Sequence, residues 1–91
     1  MLPGVSIVIP VHNKHTITRQ CLEAILAQGY AGVDREIVVV DDGSRDATPA
    51  LLASYGDKLH VLRGEEAQGF AAACNAGVAA ARNDLVILLN N

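Results

Sequence analysis

EIVVVDDGS, residues 36–44, is an apolar run that breaks into two adjacent carboxylates, a glycine and a serine. Ile37, Val38, Val39 and Val40 show no alternation of apolar and polar residues, the pattern of a strand covered on both faces in a parallel sheet. Asp41 and Asp42 then fall at the carboxyl end of that strand. Ligands bind at this edge of an open parallel sheet, because loops diverge there and helix N-termini point back into the crevice. Gly43 permits a sharp turn, Ser44 or Asp46 is placed to cap the next helix, and Pro49 suits a first helical turn. Two readings of the paired carboxylates are open from these residues alone. They are turn and helix-start residues, or they form a site for a ribose, a base N–H or a metal-bound phosphate.

Upstream, residues 5–10 (VSIVIP) read as a strand that Pro10 ends, since proline cannot donate to a ladder. A polar loop of Val11, His12, Asn13 and Lys14 follows. Thr16 is the expected cap of a helix over 17–28 whose Ile17, Cys21, Ala24, Ile25 and Gln28 fall on one face with Leu22 and Leu26 beside it, and Gly29 and Gly32 end it. Downstream of residues 36–44 come a helix over 47–55 stopped by Gly56, a strand over 59–62, a polar turn and a helix over 70–82. That last helix has the clearest apolar repeat, through Phe70, Ala73, Cys74, Gly77, Val78 and Ala81, and its small side chains allow close approach to a sheet. Arg82 in its last turn complements the helix dipole, and Asn83 suits a left-handed residue past its end. Residues 85–89 (LVILL) read as a fourth, buried-type strand before Asn90 and Asn91.

Strands alternating with helices through right-handed crossovers predict a three-layer α/β/α sandwich on a parallel sheet of four strands ordered 3-2-1-4. The switch point then lies between strands one and four. A stop so soon after an apolar strand reads as the truncated front half of a larger domain, with an apolar edge that favours a homo-oligomer.

Composition narrows the function classes. A length of 91 residues allows one domain, and 51% hydrophobic residues with only 3% aromatic imply an aliphatic, alanine-rich core. A net charge of −3 leaves no footprint for nucleic acid or an anionic membrane surface. No apolar run reaches membrane-spanning length and no signal-peptide pattern opens the chain, so a soluble cytoplasmic protein is expected. Cys21 and Cys74 lack CxxC partners and read as reduced core thiols.

Three segments, VSIVIPVHN (5–13), EIVVVDDGSRDAT (36–48) and GFAAACNAGVAAARNDLVILLNN (69–91), together resemble the N-terminal nucleotide-binding half of a family 2 glycosyltransferase of GT-A fold. The resemblance implies inverting transfer of a sugar from a nucleotide-diphosphate sugar to an acceptor, helped by a divalent cation, Mn²⁺ or Mg²⁺. Position by position, it makes Pro10, Val11, His12 and Asn13 the segment that packs against the base. His12 stands where the family often has tyrosine, and an imidazole offers less stacking area. The motif of Asp41, Asp42, Gly43 and Ser44 places at Asp42 the carboxylate that accepts a hydrogen bond from the base. Asp41, on the strand's other face, fits loop support at least as well as ligand contact. Gly69, Phe70 and Asn75 match the start and middle of the family's third helix, Asn75 fitting a sugar contact or a structural hydrogen bond equally.

The departure lies at the end, where the family places a DxD-type motif whose last carboxylate binds the metal. Asn90 and Asn91 occupy its first two places. His15 and His60 add no cluster to replace it, and the catalytic base is missing as well. The 91 residues alone are therefore expected to be inactive and to hold no cation. A nucleotide-binding module without transferase chemistry, or an inert self-associating fragment, shares the same crevice. A nucleotidyltransferase would show a glycine-rich basic phosphate loop, and a Rossmann dehydrogenase a GxGxxG after the first strand; neither is present.

Overall fold

The structure, a computed structural model, describes residues 4–28 and 34–90. Along the chain run β1 (Val5–Val11), α1 (His15–Ala27), β2 (Arg35–Asp42), α2 (Thr48–Ala53), a 3-10 turn (Gly56–Lys58), β3 (His60–Gly64), α3 (Phe70–Ala80) and β4 (Leu85–Leu88). All pairings are parallel and the order is β3-β2-β1-β4, as the crossover argument predicts. Because β2 is paired on both sides, its alternate residues fill two cores. Ile37 and Val39 join Ile7 and Ile9 against Leu22 and Ile25 of α1 and Leu52 of α2. Val38 and Val40 join Val8 against Ala73 of α3. The result is three layers. Gly77 explains how closely α3 lies on the sheet, since a Cβ there would overlap Val8 Cγ1 and meet Val40 Cγ2 at 3.1 Å.

Several boundaries differ from the sequence reading, each for a local reason. β1 continues through Pro10 to Val11, with Pro10 opposite Val40. The Val8 carbonyl accepts from the Leu89 N–H, so the polar groups of Val8, and of Pro10 two residues on, face the β4 side. β4 pairs only as far as Val8, and the N–H that Pro10 lacks would have had no ladder partner. α1 starts at His15 instead of Ile17, straight after two left-handed residues, Asn13 (φ 56°) and Lys14 (φ 58°). It buries Thr18, Leu22 and Ile25, one helical position round from the expected face, and leaves Ile17 50% exposed.

α2 ends at Ala53 and α3 at Ala80. Arg82 therefore lies outside α3; its backbone N–H donates to Glu36 Oε1 and its guanidinium to Asp34. Among the described residues only Asn13 and Lys14 are left-handed without being glycine. Asn83 is not, and instead donates through its backbone and side-chain nitrogens to Ser6 Oγ. β3 extends to Gly64. β4 is not a buried strand: Leu85, Ile87 and Leu88 are all exposed, because it forms the sheet's edge among the described residues. The apolar edge behind the expectation of self-association is thus present. Both cysteines are free; Cys74 is buried and Cys21 partly so, and burial pushes the Cys21 thiol up. Gly29, Gly32 and Asn91 fall outside the described residues. No described helix is long and apolar enough to cross a membrane.

Candidate functional site

Val11 pairs with Asp41 where β1 and β2 end, so the loops that follow leave the sheet side by side. Asn13 fastens one to the other. Its backbone N–H donates to Ser44 Oγ (2.8 Å) and its side-chain Oδ1 accepts from the Arg45 N–H (2.8 Å). Asparagine tolerates the left-handed conformation this requires. Asp46 then serves both helices at once: Oδ1 accepts from the Thr48 N–H (2.8 Å), and Oδ2 accepts from the His15 N–H at the start of α1 (3.3 Å). Hydrogen bonds from Thr48 and His15 hold its carboxyl well below the usual carboxylate range. Neither candidate is the N-cap residue of α2, which is Ala47; Asp46, one residue earlier, accepts from the first N–H of the helix, and Ser44 is spent on Asn13.

The His12 tautomer follows from its partners. Nδ1 lies 2.6 Å from the Asp42 carbonyl, which only accepts, so Nδ1 carries the proton and Nε2 accepts from Asn13 Nδ2 at 3.3 Å. The ring is braced on both nitrogens.

The two aspartates of β2 part company. Asp41 is 1% exposed; it accepts from Arg63 Nη1 (2.6 Å), its register partner on β3, and from the Ser44 N–H (3.1 Å). Arg63 Nη2 also donates to the Ser44 carbonyl (3.0 Å), so Asp41 and Arg63 together brace the turn. Asp42, on the α3 side, accepts from the Gln68 N–H (2.7 Å) and the Gly69 N–H (2.9 Å) and so caps the approach to α3. Gly43, the residue after Asp42, has φ 69°, and a Cβ there would overlap the Ala67 backbone nitrogen. Only glycine meets both conditions.

A crevice of about 190 Å³ opens over these strand ends. Pro10, Val11, His12, Asn13, Asp42 and Asn90 line it, and the sequence singled out each of them. Asp41, Gly43, Ser44 and Gly69 stand behind the lining as braces. Asn75 lies exposed on α3, outside the lining. Sequence reasoning missed Lys14, Ile17 and Phe70 as lining residues, and Arg63 as the partner of Asp41. Ile17 and Phe70 carry an apolar signal that a core reading absorbs, and Arg63 becomes visible only once the β3 register is known.

Among the described residues no group of three or more His, Cys, Asp and Glu side chains could hold a metal ion. The crevice carboxylate, Asp42, already accepts a backbone N–H on each oxygen.

A parallel sheet with a crevice at its switch point, walled by the loops after β1 and β2, defines an open three-layer α/β fold. The chain matches the family Glycosyl transferase family 2 over residues 6–91, and it belongs to that family. It is similar to an uncharacterised glycosyltransferase of Rickettsia prowazekii, 43% identical over 76 residues that make up 84% of this chain and 23% of the relative. Among solved structures it is similar to the mannosyltransferase PcManGT of Pyrobaculum calidifontis in complex with GDP-Man and Mn²⁺. That likeness has a TM-score of 0.86 and 28% identity, and covers 97% of this chain and 27% of that one. Residues 1–349 of S. aureus TarS in complex with UDP match with a TM-score of 0.84 and 26% identity, over 96% of this chain and 27% of that one. The chain thus spans about a quarter of the length of each. Its fold is the N-terminal, Rossmann-like part of the GT-A architecture.

Proposed function

We propose that the crevice recognises the nucleoside of a nucleotide-diphosphate sugar, and that this chain is the donor-binding part of an inverting family 2 glycosyltransferase. One observation carries the reading: a braced His12 ring, the Asn13 amide and the Asp42 carboxylate line one crevice at the switch point. An imidazole face suits stacking on a base. Each Asp42 oxygen accepts one N–H and retains a second lone-pair direction for a base N–H. The solved relatives that hold GDP-Man and UDP support the same ligand class.

Transfer itself asks more: a base to deprotonate the acceptor, and positive charge to neutralise the leaving diphosphate. In PcManGT a Mn²⁺ accompanies the donor. The described residues offer one crevice carboxylate, already hydrogen-bonded, so they are proposed to supply recognition and not the chemical step.

Titrating the protein with UDP and GDP, with and without Mn²⁺, tests this. Amide signals of residues 11–13 and 41–44 should shift, with an affinity of about millimolar, since metal-bridged phosphate contacts are missing. Asp42→Ala should shrink the shifts by removing the edge contact to the base, and Mn²⁺ should change them little. Strong metal-dependent binding would show that Asp41 and Asp42 hold the ion; no shift with either nucleotide would sink the proposal.

A further inference from the structure

Among the described residues, the large hydrophobic side chains that stay exposed fall mostly on the sheet's edge strands, Val61 of β3 and Leu85, Ile87 and Leu88 of β4, with Val78 on α3 and outside the crevice lining. Two others lie elsewhere. Ile17, in the first turn of α1, is 50% exposed, and Phe70, the first residue of α3, is 60% exposed. Both line the crevice. They come from opposite layers, since α1 packs on the Ile7 and Ile9 face of the sheet and α3 on the Val8 face. Each is held in place through its backbone. The residue before Phe70 donates its N–H to Asp42 Oδ2 (2.9 Å), and His15, two residues before Ile17, donates to Asp46 Oδ2 (3.3 Å). An aliphatic and an aromatic side chain kept in water at the mouth of a polar crevice regain the favourable burial they forgo when a flat apolar surface lies against them.

We propose that Ile17 and Phe70 are apolar walls that, beside the His12 ring, pack against the nucleobase, so that face contact with the ring, and not Asp42, supplies most of the base affinity. This rests on the crevice being a nucleoside site. Face contact is indifferent to the pattern of donors and acceptors on the base edge, because every base presents a π-face. UDP and GDP are therefore held with affinities within about tenfold of each other.

The test uses the full chain and both nucleotides. Phe70→Ala weakens UDP and GDP alike by about tenfold and Ile17→Ala by less, while Phe70→Tyr keeps wild-type affinity. In the wild-type complex, nuclear Overhauser contacts link the Phe70 ring protons to H5 and H6 of uracil. Should Phe70→Ala lose amide dispersion, Phe70→Leu replaces it, and the Overhauser contacts in the wild type decide. Wild-type binding with no loss in either Phe70 variant and no ring contact overturns the wall assignment and leaves the nucleoside reading standing. A preference for one nucleotide of a hundredfold or more, erased by Asp42→Asn, also overturns it, since edge recognition then governs. Failure of the wild type to bind either nucleotide overturns both.

Discussion

β2 carries a buried carboxylate near each end, and the two ends use theirs differently. At the amino end Glu36, 7% exposed, accepts from Ser6 Oγ (2.8 Å) and from the Arg82 N–H (2.8 Å), with His60 Nδ1 3.5 Å away. Its donors come from β1, from β3 and from the segment entering β4, so four pieces of chain are drawn onto one carboxylate. At the carboxyl end Asp41 is braced from one side only, by Arg63 and Ser44, and its neighbour Asp42 holds the approach to α3. Donors gathered from several strands pull that end of the sheet together. At the carboxyl end the donors come from β3, from the turn after β2 and from the approach to α3, and the crevice opens over them.

The contrast can be broken by mutation. Gly43→Ala should be the most damaging single change, at about 3 kcal/mol, since it adds a positive-φ penalty to a clash with the Ala67 backbone. Chemical denaturation would measure it, and a loss below 1 kcal/mol would mean that the turn relaxes freely. Asp41→Ala and Glu36→Ala should each cost about 2–3 kcal/mol, because each strands buried donors, with Asp41 discounted for the partial exposure of Arg63. As the two carboxylates sit at opposite ends of β2, the double variant should show the sum; coupling above about 0.5 kcal/mol would deny that the ends act independently.

Ser44→Ala removes the acceptor for the Asn13 N–H and should cost about 1 kcal/mol. It should also blur the amide signals of both loops while leaving those around Glu36 unchanged. The smallest expected effect is one of pH. Burial raises the Glu36 pKa, but the Arg82 N–H, the Ser6 hydroxyl and His60 outweigh it and leave it below its ordinary 4.5. The unfolded chain then binds more protons in that range, so the stability Glu36 contributes is complete above about pH 4.5 and is lost as pH falls below it. Stability curves of the wild type and Glu36→Gln should converge on acidification; parallel curves would remove Glu36 from the account.

How much of this could be read from sequence depends on the range of the interactions. The strands and their order were legible because an unbroken apolar run such as residues 37–40 has few other uses, and right-handed crossovers leave one arrangement. The near-complete small face of α3 likewise pointed to close packing, and Gly77 bears it out. What was not legible is long-range. The start of α1 is set by Asp46, a residue 31 positions away, and not by the local Thr16 that capping rules favour. The face that α1 buries depends on how the helix docks, which is why Ile17 read as core. In the crevice, His12, Asn13 and Asp42 were found through the family motifs. Their bracing was not, because Arg63 meets Asp41 only through the β3 register and Asp42 meets Gly69 only through the packing of α3.

The crevice draws its lining from residues 10–14, 17, 42, 70, 73 and 90, close to the full span of the chain. No isolated hairpin or helix pair contains it, so it comes into existence only when the last strand has docked beside the first. A bound nucleotide would then oppose global unfolding and leave local fraying almost untouched. Slow amide exchange in β1 and β2 would lengthen with ligand concentration while exchange at the outer rim of β3 would not, which makes occupancy of the crevice a gauge of whether the whole sheet is assembled.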